Sequence, residues 1–156
     1  MKISRVIING VIIYIAIAAF FLLMEMFGMS DNVWLRLFNF IFVIYGINRT
    51  IKQNYDEHIY GYLTNIKSAF LTGVVSLALT VLSFIGYVEY KGGDEYLHHF
   101  VEKYIFAGKP SIYQFAFGLT LEGLAATAIV SFALMQYWKD KVEKINEVDD
   151  VRHVSH

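Results

Sequence analysis

The sequence predicts an all-α, polytopic membrane protein with four transmembrane helices and one outer interfacial amphipathic helix. Hydrophobic residues make up 56% of the 156-residue chain and charged residues only 17%, whereas soluble domains carry about 25% charged residues. The apolar residues form four long runs, and most charges lie between the runs. Because a helix satisfies its own backbone hydrogen bonds in lipid, we interpret each run as one spanning helix.

The four predicted spans belong to a single domain, residues 1–156. The first covers residues 6–28, and its apolar run is about twice the 7–15 residues of a cleavable signal peptide, so we expect it to be retained. A polar turn leads to a short second span at 33–47, and the third span covers 68–88. The fourth, 112–138, follows Pro110 and Ser111, which are typical of a helix start. A charged helical tail continues it through residues 139–151.

The lysines and arginines predict how these spans are oriented. Nine of the 13 basic residues lie on the side of the two termini: Lys2, Arg5, Arg49, Lys52, Lys67, Lys139, Lys141, Lys144 and Arg152. The opposite side has the other four: Arg36, Lys91, Lys103 and Lys109. Because cytoplasmic loops carry the excess of positive charge, we expect a multi-pass protein with both termini in the cytoplasm.

An amphipathic pattern lies between the third and fourth spans. After Gly92 and Gly93, apolar residues recur at helical spacing from Tyr96 to Ile105, and acidic residues and histidines fall on the opposite face. We predict an interfacial helix with Asp94 as its N-cap. A role as a cover over the helix ends is favoured over a binding role.

One carboxylate, Glu122, lies near the middle of the fourth span. At 1.5 Å per residue it is roughly 15 Å from the outer end, near the midplane of the membrane. Apolar surroundings favour a neutral carboxyl group, so we expect Glu122 to be protonated and to donate a hydrogen bond. Antiparallel packing places Ser76 and Thr80 of the third span level with it. We predict that Glu122 faces protein and bonds to one of these hydroxyl groups.

Two interpretations of Glu122 stay open. As a structural group it would form a neutral interhelical hydrogen bond worth about 0.6–2 kcal/mol. As a functional group it would handle protons or bind a cation, as intramembrane carboxylates do in relays and transporters. The absence of a second carboxylate or histidine at that depth favours the structural interpretation. Three further polar residues are interpreted as interhelical hydrogen-bonding groups: Asn9, Asn39 and Gln136.

Two weaker constellations lie on the outer side. Glu25 ends the first span and Arg36 begins the second, so we predict an ion pair between them; the alternative is that each side chain reaches the interface alone. His98, His99 and Glu102 fall within one helical turn, but three ligands without a distant fourth make a poor zinc site. We therefore predict no metal site.

Several functional classes are excluded or disfavoured. The chain has no cysteine, which excludes disulfides, thiolate metal sites and a cysteine nucleophile. Its net charge is −1, and no basic tract is long enough to bind a nucleic-acid backbone. Phosphate-binding, dinucleotide-binding and nucleophile-elbow motifs are absent, as are paired histidines within the spans that could hold a haem. We expect no enzymatic activity and no cofactor.

Short motifs at the span boundaries resemble those of a known family. They are Gly46-Ile47 at the end of the second span, residues 61–63 and 67–73 before and within the start of the third, and residues 134–139 at the end of the fourth. The chain resembles a family of small four-helix membrane proteins of Bacteroidota that is catalogued as a domain of unknown function. This resemblance implies a bacterial cytoplasmic membrane and brings no established activity.

Two kinds of function are compatible with these observations. The favoured one is a non-enzymatic accessory or interaction subunit in the lipid bilayer, associated with other membrane subunits or with copies of itself. The alternative is a small oligomeric transporter or ion and proton pathway that uses Glu122.

Overall fold

The computed structural model describes residues 2–29, 33–101 and 110–142, and every regular element in this part of the chain is a helix. The helices are α1 (Ile3–Met26), α2 (Val33–Arg36), α3 (Asn39–Asp56), α4 (Tyr62–Lys91), α5 (Asp94–Val101) and α6 (Ile112–Val142). Three of them, α1, α4 and α6, are long and apolar enough to cross a membrane. The all-α class is confirmed, with three spanning candidates where the sequence predicts four.

The three long helices agree closely with the predicted spans. α6 begins at residue 112 as predicted and continues to Val142, four residues past the predicted end; the rest of the predicted tail lies outside the described residues. α1 starts three residues earlier than predicted. α4 extends beyond the predicted third span at both ends. At its start the extra turns are polar but still helical.

The second predicted span differs most from the structure. The apolar segment is divided: α2 ends at Arg36, a turn follows at 37–38, and α3 begins at Asn39. α3 then continues nine residues beyond the predicted end at 47, where the sequence predicts a connection along the membrane surface. Its second half is polar, yet Thr50, Ile51 and Asn54 are buried. This half is helical because its polar side chains find partners on neighbouring helices, which hydropathy does not reveal.

The helices form a bundle with two apolar clusters. α4 packs against α1 and α6, and α3 packs against α1, α4 and α6. We call the end of the bundle near Lys2 and Val142 the terminal end, and the opposite end the α5 end. The terminal cluster is Ile13, Ile47, Ile51, Ala69, Val130, Met135, Trp138 and Val142. The cluster at the α5 end is Val88, Leu97, Val101 and Ile112.

Close approach of α6 to α4 depends on glycine. A Cβ atom at Gly73 of α4 would overlap the side chain of Thr127, and one at Gly123 of α6 would overlap Leu77. Small residues at such contacts let helix backbones approach closely. These contacts set which side of α6 faces α4, and therefore the direction in which Glu122 points.

Asp94, the first residue of α5, contacts the first residue of α6. Gly92 and Gly93 have φ angles of 127° and 69°, a left-handed region that favours glycine and lets the chain turn into α5. The sequence predicts that Asp94 caps α5. In the structure Asp94 Oδ1 instead accepts the backbone N–H of Ile112 at 2.9 Å, so this carboxylate satisfies a free N–H at the start of α6.

Candidate functional site

The three residues predicted to form the intramembrane polar site line one cavity. It has a volume of about 110 Å³ and lies between α1, α3, α4 and α6. Glu122 lines it from α6, and Ser76 and Thr80 line it from α4. The structure therefore brings the predicted residues together around a shared space.

The sequence predicts that Glu122 faces only protein. The structure differs from this prediction. The Glu122 side chain lies at the edge of the cavity and is exposed on the outside of the described bundle. Gly123 and Thr127 are the α6 residues in closest contact with α4, and Glu122 is about 100° around the helix from Gly123. The prediction from sequence spacing therefore placed the contact with α4 on a side of α6 that is rotated away from the observed contact at Gly123 and Thr127.

The predicted hydrogen bond to Thr80 is absent. Thr80 Oγ1 is buried and has no hydrogen-bond partner within the described part of the chain. A bond between Glu122 and Ser76 stays a prediction. Ser76 itself is buried, as expected for the stripe of small and hydroxyl-bearing residues on α4.

A larger cavity of about 250 Å³ adjoins the first. The two share four lining residues, Ile17, Asn39, Thr80 and Leu119. Asn39 Oδ1 is also buried without a hydrogen-bond partner among the described residues, although the sequence predicts an interhelical bond for it. Five of the twelve described residues that line the larger cavity are aromatic: Tyr14, Phe21, Phe84, Tyr87 and Phe115.

Glu25 collects several partners beside this cavity, at the α5 end. The Tyr87 hydroxyl donates to Glu25 Oε2, and the Tyr96 hydroxyl donates to Oε1 at 3.1 Å. Lys91 Nζ lies 3.4 Å from Oε1. Burial, and then the Glu25 charge, raise the pKa of Tyr96 above the usual range. The predicted partner Arg36 has its side chain outside the described part, so that ion pair stays a prediction.

A dense polar network occupies the terminal end. Asn9 donates to both Thr50 and Gln53 at 2.9 Å, which confirms the interhelical role predicted for it. Thr50 is bonded in turn to Thr72 at 3.0 Å. These bonds join α1, α3 and α4 through side chains that are almost fully buried, apart from Gln53. The sequence analysis missed Thr50 because it assigned this segment to a connection.

The network continues through two asparagines to the surface. Arg5 donates to Asn54 at 2.7 Å, and Asn54 donates to Asn65 at 3.1 Å. Arg5 and Lys2 also pair with Glu57, with Lys2 Nζ at 2.6 Å. The hydrogen bond from Lys2, followed by that from Arg5, lowers the pKa of Glu57. The sequence did contain a signal for this network, since Asn65, Ser68, Thr72 and Ser76 recur at spacings of three, four and four.

A third feature is the outward face of α6. Nothing lies within 4 Å of a Cβ atom built at Gly118. Glu122 and Gln136 are exposed on the same side of the helix as Gly118. We call this surface the α6 face, and its exposed members are Gly118, Glu122, Ala125, Ile129, Ala133 and Gln136.

Metal binding finds no support among the described residues. They contain no group of three or more histidine, aspartate or glutamate side chains placed to hold a metal. Within the weak histidine constellation, the His99 side chain and Glu102 lie outside the described part.

Comparison of the chain with protein families, curated proteins and solved structures finds no match. The resemblance to the small four-helix family therefore stays an expectation.

Proposed function

We propose that this chain is a non-enzymatic subunit of a membrane assembly and that the α6 face is its contact surface. The observation that carries this proposal is the exposure of Glu122 and Gln136 on an apolar helix long enough to cross a membrane. Polar and ionisable side chains at membrane depth face protein or water in most membrane proteins, because exposure to lipid is costly. A second transmembrane helix on this face would remove that cost.

The spacing of the α6 face supports a helix as the partner. Its members follow one another at intervals of four, three, four, four and three residues, so residues 118 and 129, 122 and 133, and 125 and 136 are each 11 apart. Eleven residues correspond to three turns of about 3.67 residues, which keeps the positions aligned along a right-handed crossing. Gly118, Ala125 and Ala133 are small enough to let a second helix approach closely.

Self-complementarity favours a second copy of the chain as that partner. Two copies in one bilayer share the same orientation, and a two-fold axis along the membrane normal places each residue of the contact at the same depth as its own copy. The amide of Gln136 both donates and accepts hydrogen bonds. It can therefore pair with its own copy, whereas two lysines could not.

The proposed subunit crosses the bacterial cytoplasmic membrane four times, with both termini in the cytoplasm. α2 and the first half of α3 form the second crossing. Arg5 contacts Asn54, and the ring of Phe20 lies 5.8 Å from that of Phe42, so α3 runs antiparallel to α1. Its outward residues change from Ile41, Ile44 and Tyr45 to the charged Lys52 and Asp56, as expected of a helix leaving the bilayer.

Disulfide crosslinking tests the contact surface, because the chain contains no cysteine. Ala125→Cys places a single thiol on the α6 face, and Leu82→Cys places a matched thiol on an exposed position of α4. Oxidation in native membranes should yield a dimer from Ala125→Cys and only monomer from Leu82→Cys. Equal crosslinking of the two variants, or none from Ala125→Cys, would contradict a paired α6 face.

Labelling with a membrane-impermeant maleimide tests the four crossings. Asp56→Cys lies at the proposed cytoplasmic end of α3, and Glu95→Cys lies in α5, in the proposed outer segment. In intact cells Glu95→Cys should react, and Asp56→Cys should react only after the membrane is opened. Reaction of Asp56→Cys in intact cells would reject the four-span topology.

A second function, an ion or proton pathway through Glu122, is favoured by one observation. The two adjoining cavities extend from Glu122 past Thr80 to Tyr87, which donates to Glu25 at the α5 end. In this case Glu122→Gln should abolish uptake of protons or cations into vesicles. If Glu122 serves assembly, the glutamine keeps hydrogen-bonding capacity and the crosslinked dimer of Ala125→Cys should persist.

A further inference from the structure

We propose that α3 binds the headgroup of an anionic phospholipid at the terminal end of the bundle, through Arg49 and Lys52. The surface consists of these two basic residues and of the exposed apolar residues that precede them on the same side of α3. This inference rests on the bilayer crossing proposed for α3, and it is separate from the contact proposed for the α6 face.

One side of α3 changes from apolar to basic along its length. Its members follow one another at spacings of four, four and three residues, and so share a side of the helix: Ile41, Tyr45, Arg49 and Lys52. Ile41 and Tyr45 are more than half exposed, Arg49 is half-buried and Lys52 is exposed. On a helix that crosses a bilayer, such a side contacts acyl chains first and headgroups next.

Contacts with α1 give the level of Arg49 in the bundle. Its neighbour Thr50 accepts a hydrogen bond from Asn9 at 2.9 Å, so Arg49 lies close to the level of Asn9. That level is seven residues, or about 10 Å, from Lys2 along α1. Ile8, beside Asn9, is 57% exposed, so α1 presents an apolar side chain there. The guanidinium group of Arg49 therefore starts at the edge of the apolar region, where a charge without a counter-ion is costly.

The described residues supply no counter-charge to this basic pair. Glu57 is already paired with two basic residues of α1. Asp56 lies one turn beyond Lys52, and no ion pair joins a described carboxylate to Arg49 or Lys52. The counter-charge is therefore an anion from outside the described bundle, and it has to reach the edge of the apolar region. The phosphate group of a membrane lipid does so.

The chemistry of the pair selects the kind of lipid. A guanidinium group forms two parallel hydrogen bonds to a phosphate, and an ammonium group adds a point charge. Side chains three residues apart on a helix have Cβ atoms about 5–6 Å apart, so Arg49 and Lys52 can hold one headgroup between them. A zwitterionic headgroup brings its own cation, which this pair would repel. The ligand is therefore a phospholipid with a net negative charge, and its acyl chains cover Ile41 and Tyr45.

Lipid retention by the purified full-length protein tests the proposal. The protein is released from nanodiscs that contain equal amounts of phosphatidylglycerol and phosphatidylcholine, and native mass spectrometry gives the ratio of the two lipids that stay bound. Arg49→Gln and Lys52→Gln each remove one charge of the pair. Lys67→Gln is the matched control, because Lys67 is exposed near the start of α4 and has no lysine or arginine three or four residues away.

Wild type should retain phosphatidylglycerol in preference to phosphatidylcholine, and Arg49→Gln should lower the ratio of the retained lipids roughly tenfold. Lys52→Gln should lower this ratio by a smaller factor, and Lys67→Gln should leave it unchanged. The proposal is overturned if wild type retains both lipids equally or if Arg49→Gln leaves the ratio unchanged. It is also overturned if Lys67→Gln lowers the ratio as much as Arg49→Gln does, as for a diffuse effect of positive charge.

Two further variants separate this site from a loss of folding and from the α6 face. Arg49→Lys keeps the charge but not the two parallel hydrogen bonds, so its ratio should be intermediate; a ratio equal to that of wild type would reject the contact between guanidinium and phosphate. Ala125→Cys combined with Arg49→Gln should still crosslink, which shows a folded chain. Unchanged lipid preference beside this crosslink would count against the lipid site alone, and a missing crosslink in Ala125→Cys by itself against the α6 face alone.

Discussion

At the terminal end of the bundle, α1, α3 and α4 exchange hydrogen bonds through Asn9, Thr50 and Thr72. Between the middle of the bundle and the α5 end, polar side chains of the same helices line two cavities instead, and the buried oxygens of Asn39 and Thr80 have no partner in the described part. Polar side chains thus join three helices through one buried network at the terminal end, whereas toward the α5 end bonded pairs such as Tyr14–Ser83 lie beside oxygens that are buried without a partner among the described residues.

This difference separates stability from function within one bundle. A buried hydrogen bond that is already formed stabilises the fold, and an unsatisfied buried group costs about 1–3 kcal/mol. The terminal network holds the helices in register, and this allows the other end to tolerate cavities and unpaired oxygens. Removal of a polar group at the terminal end should therefore lower stability, whereas removal of an unpaired hydroxyl beside the cavities should not.

The largest expected effect is that of Asn65→Ala at the terminal end. Asn65 accepts a bond from Asn54 and donates to the carbonyl oxygens of Ile59 and Gly61. Its removal should lower the free energy of unfolding by about 2–3 kcal/mol, because buried partners are left unpaired. Steric trapping in bicelles measures this. Thr80→Val beside the cavities removes a buried hydroxyl that has no partner among the described residues, so it should raise the free energy of unfolding by about 1 kcal/mol. Similar losses in both variants would remove the contrast between the ends.

Packing gives the second contrast, between Gly46 in α3 and Gly118 on the α6 face. A Cβ atom at Gly46 would overlap Ile13, so Gly46→Ala should cost about 1–3 kcal/mol through overpacking. Gly118→Ala meets open space, and because alanine favours a helix more than glycine does, it should raise the stability of the monomer by up to about 1 kcal/mol. Thermal unfolding in detergent compares the two variants, and an equal loss in Gly118→Ala would show that its surroundings are closed.

At the α5 end, Glu25→Gln should cost about 1 kcal/mol, since charge-assisted bonds from tyrosine and lysine become neutral ones. The Glu25 charge contributes to the raised pKa of Tyr96, so this pKa should fall toward its usual range in the variant. Because the folded-state pKa of Tyr96 is raised, its contribution to stability is present below pH 10 and is lost as the pH rises through the folded value.

Absorbance at the tyrosinate band, recorded during an alkaline titration, follows this change. Tyr14→Phe is a suitable control, because Tyr14 bonds to Ser83 and not to Glu25. An unchanged tyrosinate titration in Glu25→Gln would show that the Glu25 charge does not raise the pKa of Tyr96.

The smallest effect concerns Glu57 at the terminal surface. Its pKa is lowered from 4.5 by Lys2 and Arg5, so its contribution to stability is present above the unfolded value and is lost as the pH falls through the lower folded value. The difference in melting temperature between wild type and Glu57→Gln should thus be small at neutral pH and should vanish in acid. A difference in melting temperature that grows as the pH falls would contradict a lowered pKa of Glu57 in the folded protein.

The sequence predicted the long helices well, since their apolar runs and their limits follow from local composition. α6 begins at the predicted residue 112, beside Pro110 and Ser111. The sequence-based prediction was wrong for the second half of α3, which it assigned to a connection. Thr50 and Asn54 look like surface residues until their partners on α1 and α4 are known. A hydropathy pattern measures average polarity and cannot show that a polar side chain is satisfied inside a bundle.

The candidate site was predicted only in part. Glu122 was identified from its position in the fourth span, and Ser76 and Thr80 from their level on the third span. The structure places all three around one cavity. Nothing in the sequence indicates that Asn39 joins Thr80 in lining both cavities, or that the two side-chain oxygens are buried without a partner among the described residues. That arrangement depends on the division of the second apolar segment at 37–38, which positions the start of α3.

By itself, the sequence determined that this chain is helical and apolar enough for a membrane, because backbone hydrogen bonding and hydrophobicity are local properties. Only the tertiary structure decided which side of each helix faces its neighbours. The contacts of Gly73 with Thr127 and of Gly123 with Leu77 rotate α6 so that Glu122 lies at the edge of the bundle. A rotation of that kind depends on close packing between distant segments, and no local pattern contains it.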